Sequence, residues 1–139
     1  MAFISKADLG QNIYEEILNG ITRANDAKIT TACSEAQEEV TGYICAQYDT
    51  DDLFSKEGDA RNKTILSLCR IIAIYRLHSA CNTMPEIRRL EYEDAVKTLG
   101  KIQSGKILLQ GAKLQGETDE VKPDLVVEMK SNPKRNNQF

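Results

Sequence analysis

The sequence predicts an all-α fold, a small bundle of about four helices followed by an extended or disordered C-terminal tail. Four segments repeat apolar residues at three- and four-residue spacing, which is typical of helices with one buried face. This periodicity stops after Gly111. A chain of 139 residues with 41% hydrophobic residues can bury a core as one domain. We therefore expect a helical bundle domain over residues 1–111 and a flexible tail over residues 112–139 that orders on partner binding.

The first predicted helix is short or broken. Ser5 and Asp8 resemble a capping box, in which each side chain bonds the other residue's backbone N–H. Gly10 interrupts the pattern and Gly20 closes it. The residues expected on the buried face recur every four positions: Leu9, Ile13, Ile17 and Ile21.

The second predicted helix begins near Asn25 or Asp26 and ends at about Tyr48. Its apolar positions follow helical spacing, and the acidic residues Glu35 and Glu38 fall outside them, so the helix is amphipathic. The predicted buried face comprises Ile29, Ala32, Cys33, Ala36, Val40, Tyr43 and Ile44.

Residues 49–62 are polar and contain Gly58, which predicts a loop. A third helix is predicted from near Arg61 to about Cys81. Its apolar residues cover more than half of the helix circumference, so it is expected to be the central helix, surrounded by the others. They are Ile65, Leu66, Leu68, Cys69, Ile71, Ile72, Ala73, Tyr75 and Leu77.

Pro85 opens the fourth predicted helix, where a missing N–H costs nothing, and Gly105 ends it. Its buried face is predicted to comprise Tyr92, Ala95, Leu99 and Ile102, flanked by Ile87 and Val96. The tail that follows has one short apolar run, compatible with a short strand at 125–129. The candidate partner-contact residues of the tail are Leu125, Val126, Val127, Met129 and Phe139.

The cysteines and the single histidine do not predict a metal or redox site. None of the four cysteines has Cys-x-x-Cys spacing. Cys33 and Cys69 lie on apolar faces and Cys45 and Cys81 do not, so we expect free thiols rather than disulfides. A structural zinc site needs four ligands, and His78 is better interpreted as a polar residue near a helix end.

Motifs for catalysis are absent from the sequence. The aspartates of the 49–62 segment fail the EF-hand pattern, because hydrophobic residues occupy positions five and six. The chain has neither a glycine-rich phosphate loop nor a Gly-x-Ser-x-Gly elbow. We expect no enzyme activity, no catalytic residues, no cofactor and no bound metal.

Charge and hydropathy exclude two further classes of partner. The formal net charge is -3, whereas affinity for nucleic acid depends on clustered cations, so specific nucleic-acid binding is not expected. Apolar runs such as residues 71–75 are far shorter than the ~20 residues of a spanning helix. The amino terminus lacks the apolar core of a signal peptide, which predicts a protein made in the cytoplasm and no membrane partner.

Several short motifs together resemble a Mu-like prophage structural protein family. The segments at residues 3–9 and 48–54 carry part of the resemblance, which covers residues 3 to about 110. The other motifs are Ala73-Ile74-Tyr75-Arg76-Leu77, Pro85-Glu86-Ile87-Arg88, Tyr92-Glu93-Asp94-Ala95 and Gly105-Lys106-Ile107. The tail departs from the resemblance because it runs past the usual Gly-Lys-Ile end.

The resemblance implies a head–tail connector, or adaptor, of a bacteriophage. Such a protein would act in the virion as a ring of subunits between the portal or capsid and the tail. Its partners would be copies of itself and phage portal and neck or tail proteins. The alternative is a generic small helical interaction module, such as a regulator or assembly factor, which would form no ring with portal protein.

Overall fold

The computed structural model of the protein describes residues 3–116, and within that range every regular element except one isolated bridge is helical. The predicted all-α bundle is therefore confirmed. The elements are α1 (Lys6–Leu9), α2 (Glu15–Thr22), α3 (Asp26–Ile44), α4 (Thr50–Ser55), a 3-10 turn (Gly58–Ala60), α5 (Lys63–Ala80) and α6 (Glu86–Gln103).

Helix α5 is the central helix, as its broad apolar surface predicted. It packs against α3 on one side and α6 on another, and α1 and α2 also contact it. Ile65, Cys69, Ile72 and Ala73 are fully buried between these neighbours. Ile74, outside the predicted set, is buried too, with 1% of its surface exposed.

Two of the long helices begin at an asparagine that caps the helix. The Asn25 side chain accepts a hydrogen bond from the Ala27 N–H at 3.0 Å, and α3 starts at the next residue. The Asn62 side chain accepts one from the Ile65 N–H at 3.1 Å at the start of α5. Each cap satisfies a backbone N–H that has no partner within the helix.

The predicted first helix is two helices in different phase. Helix α1 ends at Leu9, and α2 begins at Glu15. The four-residue repeat is therefore not continuous: Leu18 is buried on α2, whereas Ile17 is 47% exposed. Gly20 lies inside α2, which instead ends where Arg23 adopts the left-handed conformation with φ of 54°.

The predicted loop at 49–62 contains a helix, and the preceding helix is shorter than predicted. Helix α3 ends at Ile44, and Tyr48 turns inward with 3% exposure. The Asp49 side chain then accepts a hydrogen bond from the Asp52 N–H at 3.1 Å and caps α4. Leu53 of α4 is buried in the core, so tertiary packing stabilises this helix. Its acidic sequence alone predicts a loop.

The first residues assigned to the tail pair with the bundle. The Asp49 N–H donates to the Lys113 carbonyl and the Gln115 N–H donates to the Gln47 carbonyl, both at 2.9 Å. The boundary at residue 111 and the flexibility of the tail stay predictions, because residues beyond 116 lie outside the described range. No helix found within residues 3–116 has the length and hydropathy to cross a membrane.

Candidate interaction surfaces

The predicted partner-contact residues lie outside the described residues. Leu125, Val126, Val127, Met129 and Phe139 all follow residue 116, so their role stays a prediction. The candidate surfaces described here belong to the bundle itself.

Four large apolar side chains are exposed where α2 and α6 begin. Tyr14 is 76% exposed and Ile17 47%, three residues apart at the start of α2. Ile87 is 62% exposed and Leu90 47%, three residues apart at the start of α6. Single exposed apolar residues are ordinary, but two such pairs at the starts of two helices that Arg88 joins mark a candidate interaction surface. We call these four residues the end patch.

Arg88 connects the start of α6 to the residues just before α2. Its guanidinium donates to the Asn12 carbonyl at 2.8 Å and to the Glu91 carboxylate at 3.1 Å. It also lines one surface depression together with Tyr14 and Ile17. The start of α6 is therefore held against the α1–α2 connection.

Sequence reasoning missed this surface for a physical reason. The four-residue repeat predicts that Ile17 is buried, but the break between α1 and α2 interrupts that repeat. Ile87 was assigned to the flank of the α6 face, where it is in fact exposed. The sequence feature that could have indicated this surface is the spacing of Ile87 and Leu90. The two residues share a face of α6 that differs from the face of its buried residues.

His78 lies buried in the last turn of α5, with 4% of its surface exposed. The predicted position near a helix end is confirmed, and the structure adds that the side chain is buried. Neither ring nitrogen makes a hydrogen bond of normal geometry, although the Thr83 backbone lies close enough to favour the protonated ring slightly. Burial lowers the pKa of His78, and the positive charge of Arg88 lowers it further.

A groove of about 580 Å³ runs between residues 4–6 and α3. Ile4, Ile29 and Cys33, each less than 5% exposed, form its apolar floor. The Lys6 ammonium lies 3.1 Å from the Asp26 carboxylate at one end. The other seven lining residues are polar or charged, and the three apolar side chains offer little accessible surface.

The cysteines lie as their helical phase predicted. Cys33 and Cys69 are buried, Cys45 is exposed and Cys81 is half-buried, and all four are free thiols. Burial raises the pKa of Cys33 to about 11 and that of Cys69 to about 12. Neither buried thiol is therefore activated as a nucleophile.

A polar network joins three helices on another side of the bundle. Arg76 of α5 pairs with Glu35 and Glu39 of α3, and the Tyr92 hydroxyl of α6 donates to Glu39 at 3.4 Å. Burial raises the pKa of Tyr92, and the Glu39 charge adds to the effect. The Tyr75 and Tyr92 rings stack with centroids 3.9 Å apart. Because these contacts tie α3, α5 and α6 together, we interpret the network as structural.

The described part of the chain contains no cluster of side chains suited to bind a metal ion. Between residues 3 and 116, no three side chains of His, Cys, Asp or Glu are grouped closely enough to hold a metal ion. The expectations of no cofactor and no enzyme activity stay predictions.

These features define a class, a small all-α protein with large apolar side chains exposed at the starts of α2 and α6. The chain belongs to the family described as Bacteriophage Mu, Gp36, whose profile matches residues 3–127. It is therefore a Mu-like phage protein, of structural or assembly type. The match also includes residues 111–127, so the first half of the tail is not the departure from the family that its sequence suggested. A comparison with curated proteins found no match.

Proposed function

We propose that this protein is a non-catalytic head–tail connector subunit, which assembles as a ring between the portal or capsid and the tail. Its partners would then be further copies of itself and the portal and neck or tail proteins. It would be made in the host cytoplasm and retained in the virion. Membership of a phage family supports this proposal, and the end patch is the observation that carries it.

The composition of the end patch suits a protein interface. Aromatic residues and arginine are enriched where proteins meet, and Tyr14 and Ile17 of the patch line one depression with Arg88. Its apolar surface would leave water when a neighbouring subunit covers it, which favours assembly. The ion pair of Arg88 with Glu91 and its hydrogen bond to the Asn12 carbonyl hold the start of α6 in place before contact, so little ordering entropy opposes binding.

The test is to mix the purified protein with portal protein and examine the particles by negative-stain electron microscopy. We expect a ring bound to the portal. A monomer or dimer that forms no such ring at any concentration would contradict the proposal and favour a generic interaction module.

Substitution in the end patch sharpens this test. The double variant Ile87→Gln, Leu90→Gln should abolish ring formation because it makes the contact surface polar. Its free energy of unfolding should change by less than about 0.5 kcal/mol, because both side chains are already exposed. The matched control is Lys97→Gln, an exposed position two turns further along α6, which should assemble normally. Normal assembly of the double variant would exclude this patch as the contact.

A further inference from the structure

Outside the end patch, the large apolar side chains exposed within residues 3–116 are Leu108, at 75%, and Leu114, at 54%. Both follow the carboxyl end of α6, whereas the end patch includes the start of the same helix. We infer that Leu108 of one subunit contacts the end patch of the next, so that copies of the chain associate head to tail. This inference rests on the proposed function, because it names the surface that covers the end patch in the ring.

Leu108 lies in a loop, residues 105–111, that is folded back on the end of α6. The Ile107 N–H donates to a carbonyl in the last turn of α6 at 3.2 Å, and the Leu109 N–H donates to the Tyr48 hydroxyl at 3.1 Å. Leu109 is buried and Ile107 is packed against the core, so Leu108 is the exposed apolar residue of the three. The loop therefore presents one leucine from a fixed backbone, which limits the entropy lost on contact.

The end patch includes a depression that can receive a leucine side chain. The depression has a volume of about 340 Å³, and Tyr14, Ile17 and Arg88 lie among the residues that line it. An apolar side chain that fills such a pocket is a common centre of a protein interface. Insertion of Leu108 would remove its own exposed surface, and that of Tyr14 and Ile17, from water, which favours association.

The charges around the two sites are opposite. Glu15 and Glu16 are exposed in the first turn of α2, next to the depression, and the charged residues at the start of α6 form ion pairs with one another. Lys101 and Lys106 are exposed beside Leu108. The far side of the loop lines a depression with two aspartates and three basic residues, so it is not acidic overall. The end patch therefore has an acidic border and the Leu108 loop a basic one, which favours their contact.

This contact joins different copies of the chain. Helix α6 has 18 residues and is about 27 Å long, so Leu108 cannot reach the end patch of its own chain. Two copies that paired through their end patches would bring Glu15 and Glu16 of both chains together, and like charges oppose such a symmetric contact. A contact between two different surfaces instead repeats from subunit to subunit, and it closes into a ring or continues as a filament.

Disulfide trapping between two variants of the full-length protein tests this inference. Cys45 and Cys81 are first replaced by serine, because neither is buried. One variant then carries Ile17→Cys and the other carries Leu108→Cys. Under mild oxidation, the mixture should form a bond between chains several times faster than either variant alone. The matched control, Lys97→Cys mixed with Leu108→Cys, should react at the background rate. A bond that forms equally fast in either variant alone, or no faster than in the control, would overturn the inference.

Charge reversal provides a second measurement that needs no added cysteine. The variants Glu15→Lys, Glu16→Lys and Lys101→Glu, Lys106→Glu should each weaken self-association at least about tenfold, because each brings like charges together. A mixture of the two variants restores opposite charges at alternating contacts and should associate again. Sedimentation velocity with and without portal protein measures the association. Two variants that associate like the wild type, or a mixture that stays as weak as each variant alone, would contradict the contact.

These outcomes can be distinguished from those that test the proposed function. Head-to-tail assemblies that do not bind portal protein would contradict the connector proposal and leave this contact supported. A portal-bound ring in which both charge-reversed variants assemble normally would support the connector and exclude the contact.

Discussion

Asp8 and Arg61 form a bidentate ion pair that ties α1 to the chain before α5. The guanidinium nitrogens lie 3.0 and 3.1 Å from the carboxylate oxygens, and a further bond reaches the Phe3 carbonyl at 2.9 Å. Burial alone would raise the pKa of Asp8, but hydrogen bonds from Arg61 and Ser5 outweigh it and lower the pKa. The pair therefore stabilises the folded state wherever Asp8 is ionised.

We predict that Asp8→Asn lowers the free energy of unfolding by about 2 kcal/mol at pH 7, the usual range for hydrogen bonds to charged groups. Because the folded-state pKa lies below the unfolded value, this contribution disappears as the pH falls below about 4. Urea unfolding at pH 7 and pH 3 measures it. Asp94→Asn, at an exposed position on α6, is the control and should cost less than about 0.5 kcal/mol. An equal loss at both pH values would contradict the assignment.

His78 predicts a second pH dependence, in a separate range. Its folded-state pKa is lowered, so below about pH 6.5 the unfolded state binds a proton that the folded state does not. Stability should therefore fall as the pH drops from 6.5 toward the folded-state pKa. His78→Leu should flatten this part of the profile without loss of stability at pH 8, because it removes buried polar atoms without normal partners. Chemical unfolding at pH 8 and pH 5.5 checks it, and an unchanged slope would be the contrary result.

Helix α5 depends on its first residues as well as on its apolar surface. Replacing Asn62 by alanine removes the cap on the Ile65 N–H and should lower the free energy of unfolding by about 1 kcal/mol. Asn62→Asp keeps an acceptor at the same place and should retain most of the stability. Thermal unfolding followed by circular dichroism compares the two variants. Equal losses would show that the cap is not the cause.

The helices predicted well are those with long apolar periodicity. Helices α3, α5 and α6 were placed within a few residues, because each buries a continuous face over more than four turns. Helix α4 has six residues and two aspartates in its first turn, so too few positions repeat to reveal a face. These aspartates stabilise the N-terminus of the helix. From composition alone, the same acidic residues predict a solvent-exposed loop.

At the scale of the whole molecule, the residues just after 111 help to hold the bundle together. The Tyr48 hydroxyl accepts a hydrogen bond from the Leu109 N–H at 3.1 Å, and the pairing at Lys113 and Gln115 continues from it. A chain ending at Gly116 should keep its melting temperature. A chain ending at Gly111 loses two backbone bonds, about 1 kcal/mol each, and should melt several degrees lower. Equal melting of both would show that this pairing contributes nothing.

Fold class and family were predictable because they depend on patterns spread over a hundred residues. The end patch was not, because its exposure depends on where α1 ends and how Arg88 of α6 meets the Asn12 carbonyl. Both depend on packing between distant parts of the chain, which the local spacing of apolar residues does not predict. The candidate contact residues of the tail rest on composition alone, which detects an apolar run but identifies no partner for it, and they lie outside the described residues.

The stacked tyrosines of α5 and α6 have a consequence for spectroscopy. Tyr75 and Tyr92 come from different helices, and their ring planes differ by 12°. The chain has five tyrosines and no tryptophan, so phenol rings dominate its near-ultraviolet absorption. Two rings at this spacing couple their electronic transitions, and the resulting ellipticity depends on their separation and twist. Near-ultraviolet circular dichroism should therefore report changes in the distance between α5 and α6 without an added label.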